Sequence, residues 1–345
     1  MTAHTPTVSV VVPNYNHADS LPLTLPALLA QTHPATEIIF VDDRSTDDSV
    51  AVAESLGVPV VHTPHNGGPA LARNIGAARA RGDVLLFVDS DVELPPDTVT
   101  RAVRLLAADP RAGAICGILD EVPLVRDSLV QECRCLQAHW WRISSLGDVS
   151  FLFTAICAMP ARVFAEIGPF HEGLRQTEEV EYGERLTGRY PIRLTDALHG
   201  RHRDDDRLGP MLRKVFHRSR LRMPLYAYRR RAAQGFETAS RMWAAVSALL
   251  GTLALPLPLP LLAGALGALP SVAALLLFLA CDAGMYRFVA RRRGPALLVA
   301  FVGVQWLINL AIAAGAAAGA AQWLCSRSFR HLYEGGPRPT AQVPS

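Results

Sequence analysis

Over roughly the first 200 residues, short apolar runs alternate with longer stretches of helical spacing. Residues 7–12 (TVSVVV), 37–41 (EIIFV), 58–61 and 84–88 (VLLFV) are apolar runs rich in β-branched and aromatic side chains. Such runs predict strands buried on both faces, as in a parallel sheet. Helical spacing follows at 18–30, at 47–56 behind a Ser45 or Thr46 cap, and at 69–80, where Pro69 opens the helix. The pattern continues with a helix over 97–107, a strand over 112–119, an amphipathic helix over 127–146, a strand over 150–159, a short helix over 160–167 and a strand over 192–194. Strands alternating with helices of this length imply βαβ units, an α/β class and a mostly parallel sheet flanked by helices.

The carboxyl-terminal part reads differently. Residues 243–269, interrupted by Pro256, Pro258 and Pro260, then 271–289 and 296–324 are apolar almost throughout. A span needs about 20 apolar residues, so about three membrane helices are expected over 242–325. Before them, 211–241 is crowded with arginine interleaved with Leu221, Met223, Leu225, Tyr226 and Tyr228, the composition of an interfacial segment against anionic headgroups. Arginine triplets at 229–231 and 291–293 predict cytoplasmic loops by the positive-inside rule. The expected division is a cytoplasmic domain over 1–210, the basic segment, the membrane region and a tail over 326–345. With three spans that tail would lie outside despite Arg327 and Arg330; a hairpin within 296–324, helped by Gly315 and Gly319, would return it.

Composition agrees. Hydrophobic residues make up 50% of the 345 and the mean hydropathy is +0.19, more apolar than a wholly soluble protein requires. Residues 1–7 carry no basic or apolar leader, which predicts that the first domain stays in the cytoplasm. The net charge of +3 is too small for a nucleic-acid binder. Six scattered cysteines without zinc spacing read as reduced structural thiols.

Candidate chemistry lies where strands end. Residues 84–88 run into Asp89-Ser90-Asp91, and two acids at i and i+2 of an extended chain point the same way. Carboxylates so arranged suit a divalent cation, which in turn suits a diphosphate. The alternative is a helix cap at Asp91 or Asp97. The ends of the first two strands carry Asn14-Tyr15-Asn16 and Asp42-Asp43. Polar ends on neighbouring parallel strands converge on one crevice, the usual ligand site. Elsewhere Trp140-Trp141 reads as core packing or as a membrane-interface pair, and Asp282 within a span is a functional candidate unless it pairs with Arg287.

The segments Val11-Val12-Pro13-Asn14-Tyr15-Asn16, Val41-Asp42-Asp43-Arg44-Ser45-Thr46-Asp47, Asn66-Gly67-Gly68 with Ala72-Arg73-Asn74-Ile75-Gly76, and Asp89-Ser90-Asp91 together resemble family 2 glycosyltransferases of the GT-A fold. The resemblance implies a nucleotide-sugar site with Pro13, Tyr15, Asn16 and Gly67 around it. It implies Asp42 or Asp43 on the base, Arg73 supporting the nucleotide, Asp89 on the ribose or metal side and Asp91 on the metal, Mg2+ or Mn2+. Thr177-Glu178-Glu179, after Gly168-Pro169-Phe170, looks like the family's second acidic motif, with Glu179 where an aspartate general base is usual. One extra methylene changes the reach, and geometry governs base catalysis. The other reading of these acids is a solvated helix N-terminus. Of His199 and His202, the latter is the better match for a histidine near the metal.

The expectation is therefore a membrane-anchored inverting glycosyltransferase in a bacterial-type plasma membrane, multi-pass and facing the cytoplasm. It would move a sugar from a nucleotide-diphospho-sugar to a lipid-linked acceptor, polyprenyl phosphate or glycolipid. The alternatives are transfer to a soluble or polysaccharide acceptor, and a catalytically silent nucleotide-binding membrane scaffold.

Overall fold

In the computed structural model, residues 5–33, 37–228, 238–254 and 269–334 are described. Four strands, β1 (Val8–Asn14), β2 (Glu37–Asp42), β3 (Val60–His62) and β4 (Val84–Val88), form the parallel half of the sheet in the order β3-β2-β1-β4. They are linked by α1 (Leu21–Leu29), α2 (Ser49–Ser55) and α3 (Pro69–Arg79). Alternation along each apolar run divides its side chains between the two faces. Val8, Val10, Val12, Leu86 and Val88 pack in one core, and Val11, Leu85 and Phe87 in the other.

The second half is mixed. After β5 (Val92–Glu93) come α4 (Thr98–Ala108), β6 (Ala114–Leu119), α5 (Leu129–Ile143), β7 (Gly147–Val149), β8 (Ile156–Pro160), α6 (Ala161–Ile167), α7 (Glu178–Thr187) and β9 (Ile192–His202). β8 lies antiparallel between β4 and β6, and β6 runs parallel to β9. β5 and β7 pair antiparallel with β9, completing nine strands. The sheet is thus mostly parallel and flanked by helices, as the apolar runs imply. The strand expected over 150–159 begins only at Ile156. Residues Phe151-Leu152-Phe153 form an irregular segment whose Leu152 and Phe153 are nonetheless buried. Burial, which strand and loop share here, is what the apolar run encoded.

Beyond the sheet lie α8 (Leu208–Tyr228), α9 (Ala239–Ala254), α10 (Leu269–Cys281), α11 (Ala283–Cys325) and the short α12 (Arg327–Arg330). Among the described residues, α11 is the helix long and apolar enough to cross a membrane. It breaks at Gly294, which takes φ 81°, just before Pro295. The first expected span lies partly outside the described residues, with Pro256, Pro258 and Pro260, as do the arginines at 229–231. The second corresponds to α10, of 13 residues, and the start of α11.

From Pro295 onward, α11 lies against the sheet domain's own helices. Gln305 is fully buried and accepts from the Gln137 side chain of α5 at 2.5 Å. Gly315 and Gly319 bring the α11 backbone against the α8 carbonyls of Phe216 and Arg220, too close for any Cβ. After α12, the Tyr333 hydroxyl lies 2.9 Å from both the Thr177 hydroxyl and the Leu221 carbonyl. Residue 333 therefore returns to the sheet domain. At the break between α10 and α11, Asp282 accepts from Trp140 Nε1 at 3.0 Å and Trp141 Nε1 at 3.2 Å, with Arg241 at 3.8 Å. Arg287, the partner expected from the sequence, instead donates to the Ala283 carbonyl. The six cysteines are free thiols, four of them buried.

Candidate active site

The carboxyl ends of β1, β2 and β4 open into a cleft of about 680 Å³. Pro13, Tyr15, Asp43, Arg73, Asp89, Asp91, Glu178, Glu179 and His202 all line it. Motifs as far apart in the chain as residues 13 and 202 thus share one wall.

Asn16, Asp42 and Gly67 are not on that wall, because they build the loops behind it. Asn16, at φ 58°, accepts from the Thr46 amide at 2.7 Å. Buried Asp42 accepts from Asn14 at 3.1 Å and from the Ser45 amide at 3.1 Å. Asp43 does line the cleft, but its carboxylate already receives the Thr63 hydroxyl and the amides of Gly67 and Gly68 at 2.7–2.9 Å. Gly68 takes φ 87° there, a conformation that glycine adopts without strain and that starts α3 at Pro69.

Arg73 does something its sequence position does not reveal. Its guanidinium, 4% exposed, pairs with Asp89 at 2.9 Å and with Glu178 at 3.0 Å, and faces the Phe170 ring. One buried cation therefore ties the acid of β4 to the first acid of α7. Burial works against its charge, but Asp89 and Glu178 more than offset that and raise its pKa. For Glu178 the balance goes the other way: burial first and then neighbouring Glu179 push its carboxyl up to about 8 against the pull of Arg73. Both glutamates sit in the first turn of α7, where the helix dipole favours negative charge.

Asp91 faces two imidazoles. His202 Nε2 lies 3.2 Å and His17 Nδ1 3.5 Å from the same carboxylate oxygen. The pairing of Val92 with His202 between β5 and β9 sets the first of these contacts. Burial opposes the Asp91 charge, yet His202 and His17 together hold its pKa below the usual carboxylate range. Asp91 in turn raises the imidazole of His202 against the effect of burial. His199 lies elsewhere, 3.1 Å from Asp120.

No group of three or more His, Cys, Asp or Glu side chains is arranged as a metal cage among the described residues. Mg2+ and Mn2+ do not require one. Such hard ions commonly take one or two carboxylates and fill the rest of their shell with water and substrate phosphate oxygens. Asp91, with Asp89 or His202 beside it, fits that use: among the described residues its carboxylate pairs with two imidazoles, and the His202 Nδ1 is buried without a hydrogen-bond partner.

The sequence reading did not single out His17, Arg134, Asp204, Lys214, Arg218 or Arg222 as site residues, yet all line the cleft. A signal existed for several. Asp204 stands two residues beyond His202, and Lys214, Arg218 and Arg222 recur every four residues along one side of α8.

Residues 9–130 match the model of the family described as Glycosyl transferase family 2. An uncharacterized glycosyltransferase of Haemophilus influenzae is 34% identical over 188 residues, 51% of this chain and 60% of that protein. An undecaprenyl-phosphate 4-deoxy-4-formamido-L-arabinose transferase of Sodalis glossinidius is 37% identical over 111 residues, 30% of this chain and 34% of its own. The chain thus spans less than two thirds of the length of these curated relatives. Among solved structures, a mannosyltransferase of Pyrobaculum calidifontis in complex with GDP-Man and Mn2+ superposes with a TM-score of 0.56. The match covers 94% of this chain and 89% of that one at 18% identity, a likeness of fold alone.

Proposed function

We propose that the chain, whose residues 9–130 match the Glycosyl transferase family 2 model, moves a sugar from a nucleotide-diphospho-sugar to a lipid-linked acceptor, inverting the anomeric carbon. The observation that carries this reading is the single cleft in which strand-end acids, the Glu178–Glu179 pair and two isoleucines of the apolar α11, Ile308 and Ile312, line one space. A donor needs the acids, an acceptor hydroxyl needs a base, and a lipid needs the apolar wall. The transferase of Sodalis glossinidius, whose name gives undecaprenyl phosphate, supports such an acceptor. In this reading the catalytic domain works at the cytoplasmic face of a bacterial-type plasma membrane, in which the apolar helices anchor it.

Tyr15, exposed at the cleft mouth, and Asp43 flank the nucleotide. Asp89 stays oriented because Arg73 holds it, so Arg73 acts through two acids rather than on the nucleotide itself. Glu178 is tied to the same guanidinium, which leaves Glu179 to take the proton from the acceptor hydroxyl. The oxygen then bonds to the anomeric carbon as the bond to the nucleoside diphosphate breaks on the opposite side. Mg2+ or Mn2+ at Asp91 would offset charge on that leaving group.

The test is nucleoside diphosphate release from a panel of nucleotide-sugars by the full chain with Mn2+ and bacterial lipid extract. Release from one donor that depends on lipid is expected, and Glu179→Gln should lower turnover by about a hundredfold or more. Release that needs only a water-soluble glycan would make the membrane an anchor alone. Nucleotide binding without release from any donor would leave the scaffold reading standing instead.

A further inference from the structure

α5 and α8 each contribute cations to the lining of the cleft. Arg134 and Arg142 lie two helical turns apart on α5, and Lys214, Arg218 and Arg222 form the stripe on α8. Three of these charges have local partners. Arg134 lies 3.6 Å from Asp204, Lys214 lies 3.1 Å from Asp205, and Arg222 stacks over Phe151. Arg142 and Arg218 have no ion-pair partner among the described residues, and the Nε of each is buried without a hydrogen bond. Arg142 donates to the Ala138 carbonyl of its own helix and lies over the Phe153 ring. Burial brings its guanidinium down to about 10, even with Asp204 nearby. The Arg142 and Arg218 side chains are half-buried with the Nε of each shielded from water, and a site that retains two such cations without a counter-charge suits an anion.

The third wall identifies which anion. Ile308 and Ile312 of α11 border the same space, so the ligand carries an apolar part beside its charge. A nucleotide-sugar has no hydrocarbon chain to lay over them. We propose that Arg142 and Arg218 bind the phosphate of the lipid-linked acceptor, its hydrocarbon chain leaving over Ile308 and Ile312. The inference rests on the cleft being a glycosyl-transfer site. It makes α11 a wall of the acceptor site as well as an anchor. It also narrows the acceptor to a lipid phosphate or diphosphate bearing a sugar, whose hydroxyl reaches Glu179 while its phosphate stays on the arginines.

The experiment uses the full chain in phosphatidylcholine nanodiscs containing a few per cent of undecaprenyl phosphate, undecaprenol or phosphatidylglycerol. Lipid binding and the binding of UDP, GDP and dTDP with Mn2+ are measured separately. Undecaprenyl phosphate should bind at least about tenfold more tightly than either other lipid, and the R142Q/R218Q double variant should lose that margin. Nucleoside diphosphate binding should stay within about threefold of wild type. The lysine pair, R142K/R218K, should recover part of the lipid affinity, which a merely misfolded protein would not. Equal binding of the alcohol and the phosphate would overturn the proposal. So would competition by phosphatidylglycerol at equal strength, a general headgroup effect. Parallel loss of nucleotide and lipid binding would assign the arginines to the donor diphosphate and overturn it too. If no nucleoside diphosphate binds the wild type, the donor reading fails, while the lipid comparison still decides this one.

Discussion

The two ends of the cleft are built on different principles. At the strand ends, acids sit on a sheet whose strands are buried on both faces, and each acid is held by neighbours in fixed geometry: Asp43 by Gly67 and Gly68, Asp89 by Arg73, Asp91 by His202. At the other end three helices meet, and two cations face the space without acidic partners. The first end is preorganised by paired charges; the second keeps unmet charge beside apolar surface. A rigid acid set suits a reaction whose leaving group must be met at a defined point. An under-compensated, half-apolar end suits a ligand that brings both charge and hydrocarbon with it.

The contrast breaks first at Asp91. Asp91→Asn should lower turnover on the order of a thousandfold while undecaprenyl phosphate binding stays within about twofold, as measured by diphosphate release and nanodisc binding on one preparation. Arg73→Met tests how far the rigid end depends on a single cation. It leaves Asp89 without its ion pair and Glu178 without a hydrogen-bond partner, so stability should fall by about 1–3 kcal/mol, read from denaturant unfolding of the detergent-solubilised chain. A loss under about 1 kcal/mol would show that the two acids do not need it.

At the other end Gly315→Leu forces α11 away from the Phe216 carbonyl. Lipid-dependent transfer should fall about tenfold or more with nucleotide binding unchanged; unaltered transfer would mean that the α8–α11 contact does not shape the acceptor site.

The remaining test is a pH slope. Folded Glu178 keeps its proton to about 8, whereas its ordinary value is 4.5. Between those values the folded state holds the extra proton, so stability declines as pH rises, by at most about 1.4 kcal/mol per unit. Thermal melts from pH 5 to 8 should show the wild type losing stability more steeply than Glu178→Gln; parallel curves would place the proton elsewhere.

The same division governs what could be read in advance. Residues 84–88 followed by Asp89-Ser90-Asp91 announce a buried strand and its polar end, because apolar continuity and i, i+2 spacing are local properties of an extended chain. The composite of such ends also pointed to the cleft. Yet Asp42 and Asp43, adjacent and alike, differ in fate: one is locked beneath the loop, and the other reaches the wall with its oxygens already used. Spacing cannot separate neighbours whose partners come from different loops. Similarly, Phe151-Leu152-Phe153 was legible as buried but not as irregular, since burial rewards apolarity in either conformation.

By itself, then, the sequence determined the α/β order, the acids at the strand ends and an apolar carboxyl-terminal region, all of which depend on periodicity within a dozen residues. Only the tertiary structure decided that Arg73 bridges residues 16 and 105 positions away, and that His17 joins His202 at Asp91. It also decided that Asp282 belongs to Trp140 and Trp141 rather than to Arg287. Those choices depend on strand register and helix crossing, set by the packing of whole elements, and no residue announces in advance which distant neighbour that packing will bring to it.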